Sequence, residues 1–161
     1  VITAVDLIRG IAVYAGMEVV PVEGATGLYD TNYEGKVRAA LDALSRKDLV
    51  YLHIEASDEA GHDGDAALKI RTIEALDRRV AGPVLAFMAE HEDIRVALLP
   101  DHATPCEVRT HTADPVPFMI SIPGLAPDGL DRFDERTVES GSYGLMEARS
   151  FIPSLFDSPA V

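Results

Sequence analysis

The chain has 161 residues, 47% of them hydrophobic, and a formal net charge of −13 from 27 acidic against 14 basic side chains. That length and apolar content suit one domain with a real core and exclude a disordered chain, while the charge disfavours nonspecific attraction to nucleic acid or an anionic membrane. A single cysteine, Cys106, excludes a disulfide framework. Apolar runs such as VALLP and FMISIPG are too short to cross a bilayer and no basic region precedes a signal-like run, so a soluble cytoplasmic domain is expected.

The segment TAVDLIRGIAVYAG places Val5, Ile8, Ile11 and Ala12 at spacings of three and four, which predicts an amphipathic helix entered almost directly from Val1, capped by Thr3 and ended by Gly16. MEVVPV reads as a short strand. TNYEGKVRAALDALSR reads as a second helix, with Thr31 and Glu34 at capping-box spacing. DLVYLHIEA is a β-rich run suited to a buried strand, and the stretch IEASDEAGHDGD after it reads as an acidic loop. Residues 65–90 are helical in pattern, interrupted near Gly82 and Pro83; DIRVALLPD and VPFMISIPG give two further strands, and the end gives a loop and a last helix. Strands alternating with helices predict an α/β layer with a largely parallel sheet.

In such sheets ligands collect beyond the carboxyl ends of the strands. Asp58 and His62 follow one inferred strand, Asp101 and His102 follow another, and His111 stands in the next loop, RTHTADPVP. Carboxylate oxygen and neutral imidazole nitrogen both suit a borderline divalent ion. A spacing of four lets one helical turn or a tight loop aim Asp58 and His62 at one centre, and Gly61 is read as the place where the backbone bends beside it. Asp101 and His102, being neighbours, can serve together only on a turn. Against this stands the plain reading of a solvated acidic loop. His53 is read as a buried strand residue and His91 as a solvated helix end. Cys106 lacks a recognisable nucleophile context, and GATGLYDTNYEG lacks both phosphate-loop spacings.

Taken in order, SDEAGHDGD, LLPDHATP and RTHTADPVPF resemble the metal-binding half of the alkaline phosphatase superfamily, and more closely the archaeal-type cofactor-independent phosphoglycerate mutases. GMEVVPVEGATGLYDTNYEGK and DRRVAGPVL extend the resemblance over nearly all of the chain. It implies an alkaline-phosphatase-like three-layer α/β/α sandwich, here incomplete. It further implies two divalent metals (Mn, Mg or Zn) and a phosphoserine formed while 3-phosphoglycerate becomes 2-phosphoglycerate. Asp58, His62 and His111 would ligate one ion; Asp101 and His102 would ligate the other.

The family's early Asp and nucleophilic Ser have no counterpart here, and neither does its inserted domain. The expectation is therefore a C-terminal part of a mutase core over residues 1–161, with no catalytic residue of its own. It should hold one metal or none, be inactive alone, and take the missing N-terminal part of the same polypeptide as its partner. Phosphoglycerate would be the parent's ligand, and an exposed sheet edge could make a homodimer. Two alternatives stay open: another phosphatase or phosphomutase of the superfamily, and a non-catalytic metal-binding domain.

Overall fold

In the computed structural model, which describes residues 1–156, the chain forms two units: Val1–Glu90 with Thr104–His111, and His91–Ala103 with the described residues from Thr112 onward. The first unit is organised around its opening residues. Ile2 donates to the Tyr51 carbonyl and accepts from the His53 amide, both at 2.9 Å, in the pattern of a parallel pair. On its other side Val1 donates to the Glu18 carbonyl (2.6 Å) and accepts from the Val20 amide (2.9 Å), again a parallel pattern. Val1, Ile2 and Thr3 are buried as a result.

The sequence had the chain entering a helix at once. Instead the first three residues are extended, and helix α1 spans Asp6–Tyr14. Thr3 does not cap it: the cap position is Val5, and the Thr3 hydroxyl accepts from the Val5 amide (3.1 Å) and meets His53 Nδ1 at 3.2 Å. The expected strands around Val19 and Leu52 are present as extended chain, but each makes only one repeat of the parallel pattern before the backbone turns away. Among the described residues the sole parallel bridge is Ile2 with Leu52.

Helix α2, Tyr33–Leu44, buries Tyr33, Lys36, Val37, Ala40 and Ala43, the three-and-four spacing of one helical face. It starts one residue later than a Thr31 cap requires. Asn32 caps it by accepting from the Gly35 amide (2.9 Å), while the Thr31 hydroxyl accepts from the Thr26 amide (2.9 Å). Glu34 is thereby released to take both ends of the Arg79 guanidinium at 2.5 and 2.7 Å, with Arg79 lying 4.4 Å above the Tyr33 ring. The acidic stretch expected to be a loop is helix α3, Ala56–Asp63, closed by Gly64 in the left-handed conformation (φ 71°). Asp65 caps helix α4, Ala66–Leu76, by accepting from the Leu68 amide at 2.8 Å. The interruption expected near Gly82 and Pro83 is a wide turn of π-helix, Asp77–Ala81, leading into helix α5, Gly82–Met88. Pro83 has no amide to offer the carbonyl four residues back, and the widened register absorbs the misfit.

The second unit holds the one strand pair long enough to count as a sheet among the described residues. Strands β1, Val96–Leu98, and β2, Met119–Ser121, are antiparallel, with Ala97 opposite Ile120. Ile120 and Ile122 pack with Leu155 of helix α6, Ala148–Phe156, and the Phe118 and Phe151 rings meet edge to face at 5.5 Å. Arg95 donates to the Leu155 and Phe156 carbonyls, both at 2.9 Å, and so closes the helix end. No described helix is long and apolar enough to cross a membrane.

The Arg79 ion pair and hydrogen bonds hold the Glu34 carboxyl at about 2, below its ordinary 4.5. A depressed folded-state value contributes stability above the unfolded value and loses it as pH falls from about 4.5 towards 2. Glu34 is half exposed, so screening limits the pair to roughly 0.2–1 kcal/mol. Glu34→Gln should be less stable than wild type by that amount in urea unfolding at pH 7, and the gap should close on acidification through this window. A gap independent of pH would mean the pair is not its source.

Candidate metal centre

The short helix α3 carries Asp58 and His62 one turn apart, so both side chains leave the same face. Residues Thr104–His111 lie against it within the first unit. Pro105 starts a tight turn, its carbonyl accepting from Val108 (3.0 Å) and Arg109 (2.8 Å), and Arg109 itself is left-handed at φ 58°. His111 follows two residues later.

The turn brings three ligand-type side chains together. His62 Nε2 lies 3.2 Å from Asp58 Oδ2 and 3.1 Å from His111 Nε2, and His111 Nε2 lies 3.4 Å from Asp58 Oδ1. Metal bonds of about 2.0–2.2 Å in a tetrahedral site put neighbouring ligand atoms about 3.3–3.6 Å apart, close to what is seen. Asp58 is mostly buried and the two imidazoles are more open, so the cluster faces solvent on the histidine side.

The tautomer of His62 follows from its other nitrogen. Nδ1 lies 3.0 Å from the Arg109 carbonyl, which can only accept, so Nδ1 carries the proton. In the neutral ring Nε2 then presents a lone pair towards Asp58 and His111, the form a metal ligand needs. That carbonyl bond is the main cause of a raised His62 pKa; desolvation opposes it and the Asp58 charge adds to it.

Gly61 is not a bend. It is buried inside α3, and a Cβ there would overlap the Thr104 carbonyl oxygen and stand 3.0 Å from Thr104 Cγ2 and 3.1 Å from Lys69 Nζ. Gly64, past the helix end, leaves room for the Arg109 guanidinium, whose Cζ would stand 2.8 Å from a Cβ. The glycines of the motif thus admit the Thr104–His111 segment to the helix surface. Thr104 and Arg109 escape a reading confined to ligand types. Their signal is position, two residues beyond His102 and two before His111.

Glu55, Asp58 and Glu59 bring carboxylate oxygens within 4.8 Å of one another at the start of α3. Burial first, then the Glu59 charge, push Glu55 above its ordinary value. Acidic residues at a helix N-terminus are stabilising in themselves, and this group needs no ion to explain it. Asp101 and His102 stand in the second unit on a bend, where Asp101 Oδ1 accepts from the His102 amide (3.1 Å) and Asp101 Oδ2 lies 3.5 Å from His102 Nε2. The bend removes the opposed orientation that extended neighbours would have.

A family model described as the Metalloenzyme superfamily matches residues 1–151. The 2,3-bisphosphoglycerate-independent phosphoglycerate mutase of Methanothrix thermoacetophila is 56% identical over 153 residues, 94% of this chain and 39% of that protein. The protein of the same description from Methanosarcina acetivorans is 50% identical over 157 residues, 96% of this chain and 40% of that protein. The solved structure of the PH0037 protein from Pyrococcus horikoshii matches with a TM-score of 0.88 at 37% identity, over 97% of this chain and 47% of that one. The chain thus spans about two fifths of the length of these curated relatives.

Two glycine substitutions separate helix propensity from packing. Gly10 lies inside α1 with nothing within 4 Å of an added Cβ, so Gly10→Ala should stabilise by about 0.5–1 kcal/mol. Gly61→Ala gains the same propensity but meets the Thr104 backbone, and overpacking costs about 1–3 kcal/mol, so the net effect should be destabilising. Urea midpoints at unchanged slope measure both, and equal effects would refute the close approach of Thr104.

Proposed function

The chain belongs to the metalloenzyme superfamily, with an alkaline-phosphatase-like α/β fold, and from that premise we propose that it is the C-terminal part of a metal-dependent phosphoglycerate mutase. The whole protein would interconvert 3-phosphoglycerate and 2-phosphoglycerate through a phosphoserine supplied from outside this chain. Asp58, His62 and His111 are the proposed ligands of one divalent ion, and Asp101 and His102 are assigned to a second with ligands from outside the chain. The observation that carries the reading is the convergence of Asp58, His62 and His111 at 3.1–3.4 Å with the His62 tautomer already set for ligation.

Each residue has a defined part. Asp58 brings the negative charge that retains a cation, and each of its oxygens faces one imidazole. The Arg109 carbonyl keeps the proton of His62 on Nδ1, away from the ligand face. Three protein ligands leave a position open for an oxygen of the substrate, as catalytic sites do. When bound, a divalent ion supplies Lewis-acid stabilisation of charge on the phosphoryl oxygens.

The remaining length of the polypeptide would complete a three-layer sandwich around the parallel segments at Val1–Thr3. Helix α1 supports this. Ala12 is buried and Ile8 half-buried on one side, yet Leu7, Ile11 and Tyr14, at i, i+4 and i+7, are 72%, 59% and 96% exposed. The apolar face of this helix is therefore wider than the part covered within the unit, with Asp6 and Arg9 on the remaining side, and an apolar face left open in this way calls for a neighbouring element. We assign its cover to the part of the protein that makes up the rest of the relatives' length.

Calorimetric titration with Mn should give a single-site isotherm for wild type and none for His62→Ala, His111→Ala; equal affinity in both would remove the ligand assignment. The isolated chain with Mn and 3-phosphoglycerate should form no 2-phosphoglycerate, and clear turnover would show that the rest of the protein is not required.

A further inference from the structure

Asp58 is the only carboxylate among the three converging ligands, so the direction of its oxygens decides whether the cluster can close on an ion. Its Oδ1 accepts from the hydroxyl of Thr104, a residue 4% exposed. The same oxygen lies 3.4 Å from His111 Nε2, and the other lies 3.2 Å from His62 Nε2. A carboxylate on a helix surface otherwise samples several rotamers, and most of them would withdraw at least one oxygen from an imidazole.

Thr104 is itself fixed at three points. Its branched Cβ restricts its own rotamer. Lys69 Nζ donates to its carbonyl at 2.6 Å, a charge-assisted bond. Gly61 leaves no side chain between that carbonyl and the helix, so Thr104 sits directly on α3 between Asp58 and Lys69. Lys69 is anchored in turn, since its residue lies in the first turns of α4 behind the Asp65 cap.

We propose that Thr104 is a positioning residue for the metal centre: its hydroxyl holds the Asp58 carboxylate in the orientation that faces both histidines, and Lys69 holds Thr104. The proposal rests on the reading of Asp58, His62 and His111 as ligands, and it adds the group that orients the anionic one. Outer hydrogen bonds of this kind typically change metal affinity by about 10–100-fold.

Thr104→Val keeps the shape and branching and removes only the donor; Thr104→Ser keeps the donor. Mn titration of the apo chain by calorimetry should show Thr104→Val weaker than wild type by about 10–100-fold, with Thr104→Ser restoring most of the affinity at the same stoichiometry. Lys69→Met should weaken binding in the same direction. The absorption bands of bound Co(II) give a second readout: they should shift in Thr104→Val and return in Thr104→Ser. Wild-type affinity and spectrum in Thr104→Val would overturn the proposal while leaving the ligands standing. Equal losses in the Val and Ser variants would assign Thr104 to packing. Absence of Mn binding in wild type, with that result in Asp58→Asn as well, would overturn the ligand reading and the proposal together.

Discussion

The meeting of Asp58, His62 and His111 depends on one contact surface, the seating of residues Thr104–His111 on helix α3. Three contacts of different chemistry make it, two of them hydrogen bonds. The Thr104 hydroxyl holds the Asp58 carboxylate, the Arg109 carbonyl takes the His62 Nδ1 proton, and the Arg109 guanidinium lies over Gly64 at the helix end. Each falls at a different level of α3: its first turn, its last turn and its C-terminus. A cation over a helix C-terminus is favourable in itself, so the Arg109 side chain secures the same turn whose carbonyl orients His62. The backbone strain of a left-handed arginine, of order 1–3 kcal/mol, is offset by these two roles.

This surface also explains which features were legible in the sequence. The convergence of Asp58 and His62 was legible because four residues apart on a helix means one face, whatever the rest of the chain does. Asp65 as the start of the next helix was legible for a similar local reason. What failed was the state of the backbone between them: an acidic run with two glycines looked like a loop, yet α3 is a helix. Its glycines are there for the neighbour, Gly61 for the Thr104 carbonyl and Gly64 for Arg109, and local propensity carries no information about a segment some forty residues away. Thr31 misled in the same manner. It has the spacing of a cap, but Asn32 competes for that place and wins, leaving Thr31 to the turn at Thr26.

The sheet shows the opposite limit. Apolar β-rich runs were found where extended chain occurs, but a run does not reveal how many neighbours it has. Val1–Thr3 lies between two parallel segments and still registers as a single bridge, because each partner leaves after one repeat of the hydrogen-bond pattern. The strands at Val96 and Met119 pair with each other in the antiparallel sense, an arrangement that alternation of strands and helices does not foretell. Periodicity fixes an element's faces; pairing is settled only by the other strands available.

Helix α3 is also too short to stand alone. An isolated helix below about 12–15 residues is marginal in water, and this one begins with a cluster of carboxylates and contains a glycine. Its persistence comes from the seated segment and from the buried alanines, Ala56 and Ala60, on its inner face. The same bonds that keep it helical therefore also fix the Asp58 and His62 side chains, so the cluster and the helix stand or fall together. Folding of this unit brings Asp58, His62 and His111 into range of one another, at the cost of gathering a carboxylate and two imidazoles at one point. Because ligands are brought together by folding, an ion that binds them stabilises the folded chain by mass action. The Thr104 and Arg109 bonds lower the cost of that gathering by holding two of the three side chains from behind. The geometry of the cluster is thus set by two residues, Thr104 and Arg109, that lie behind it.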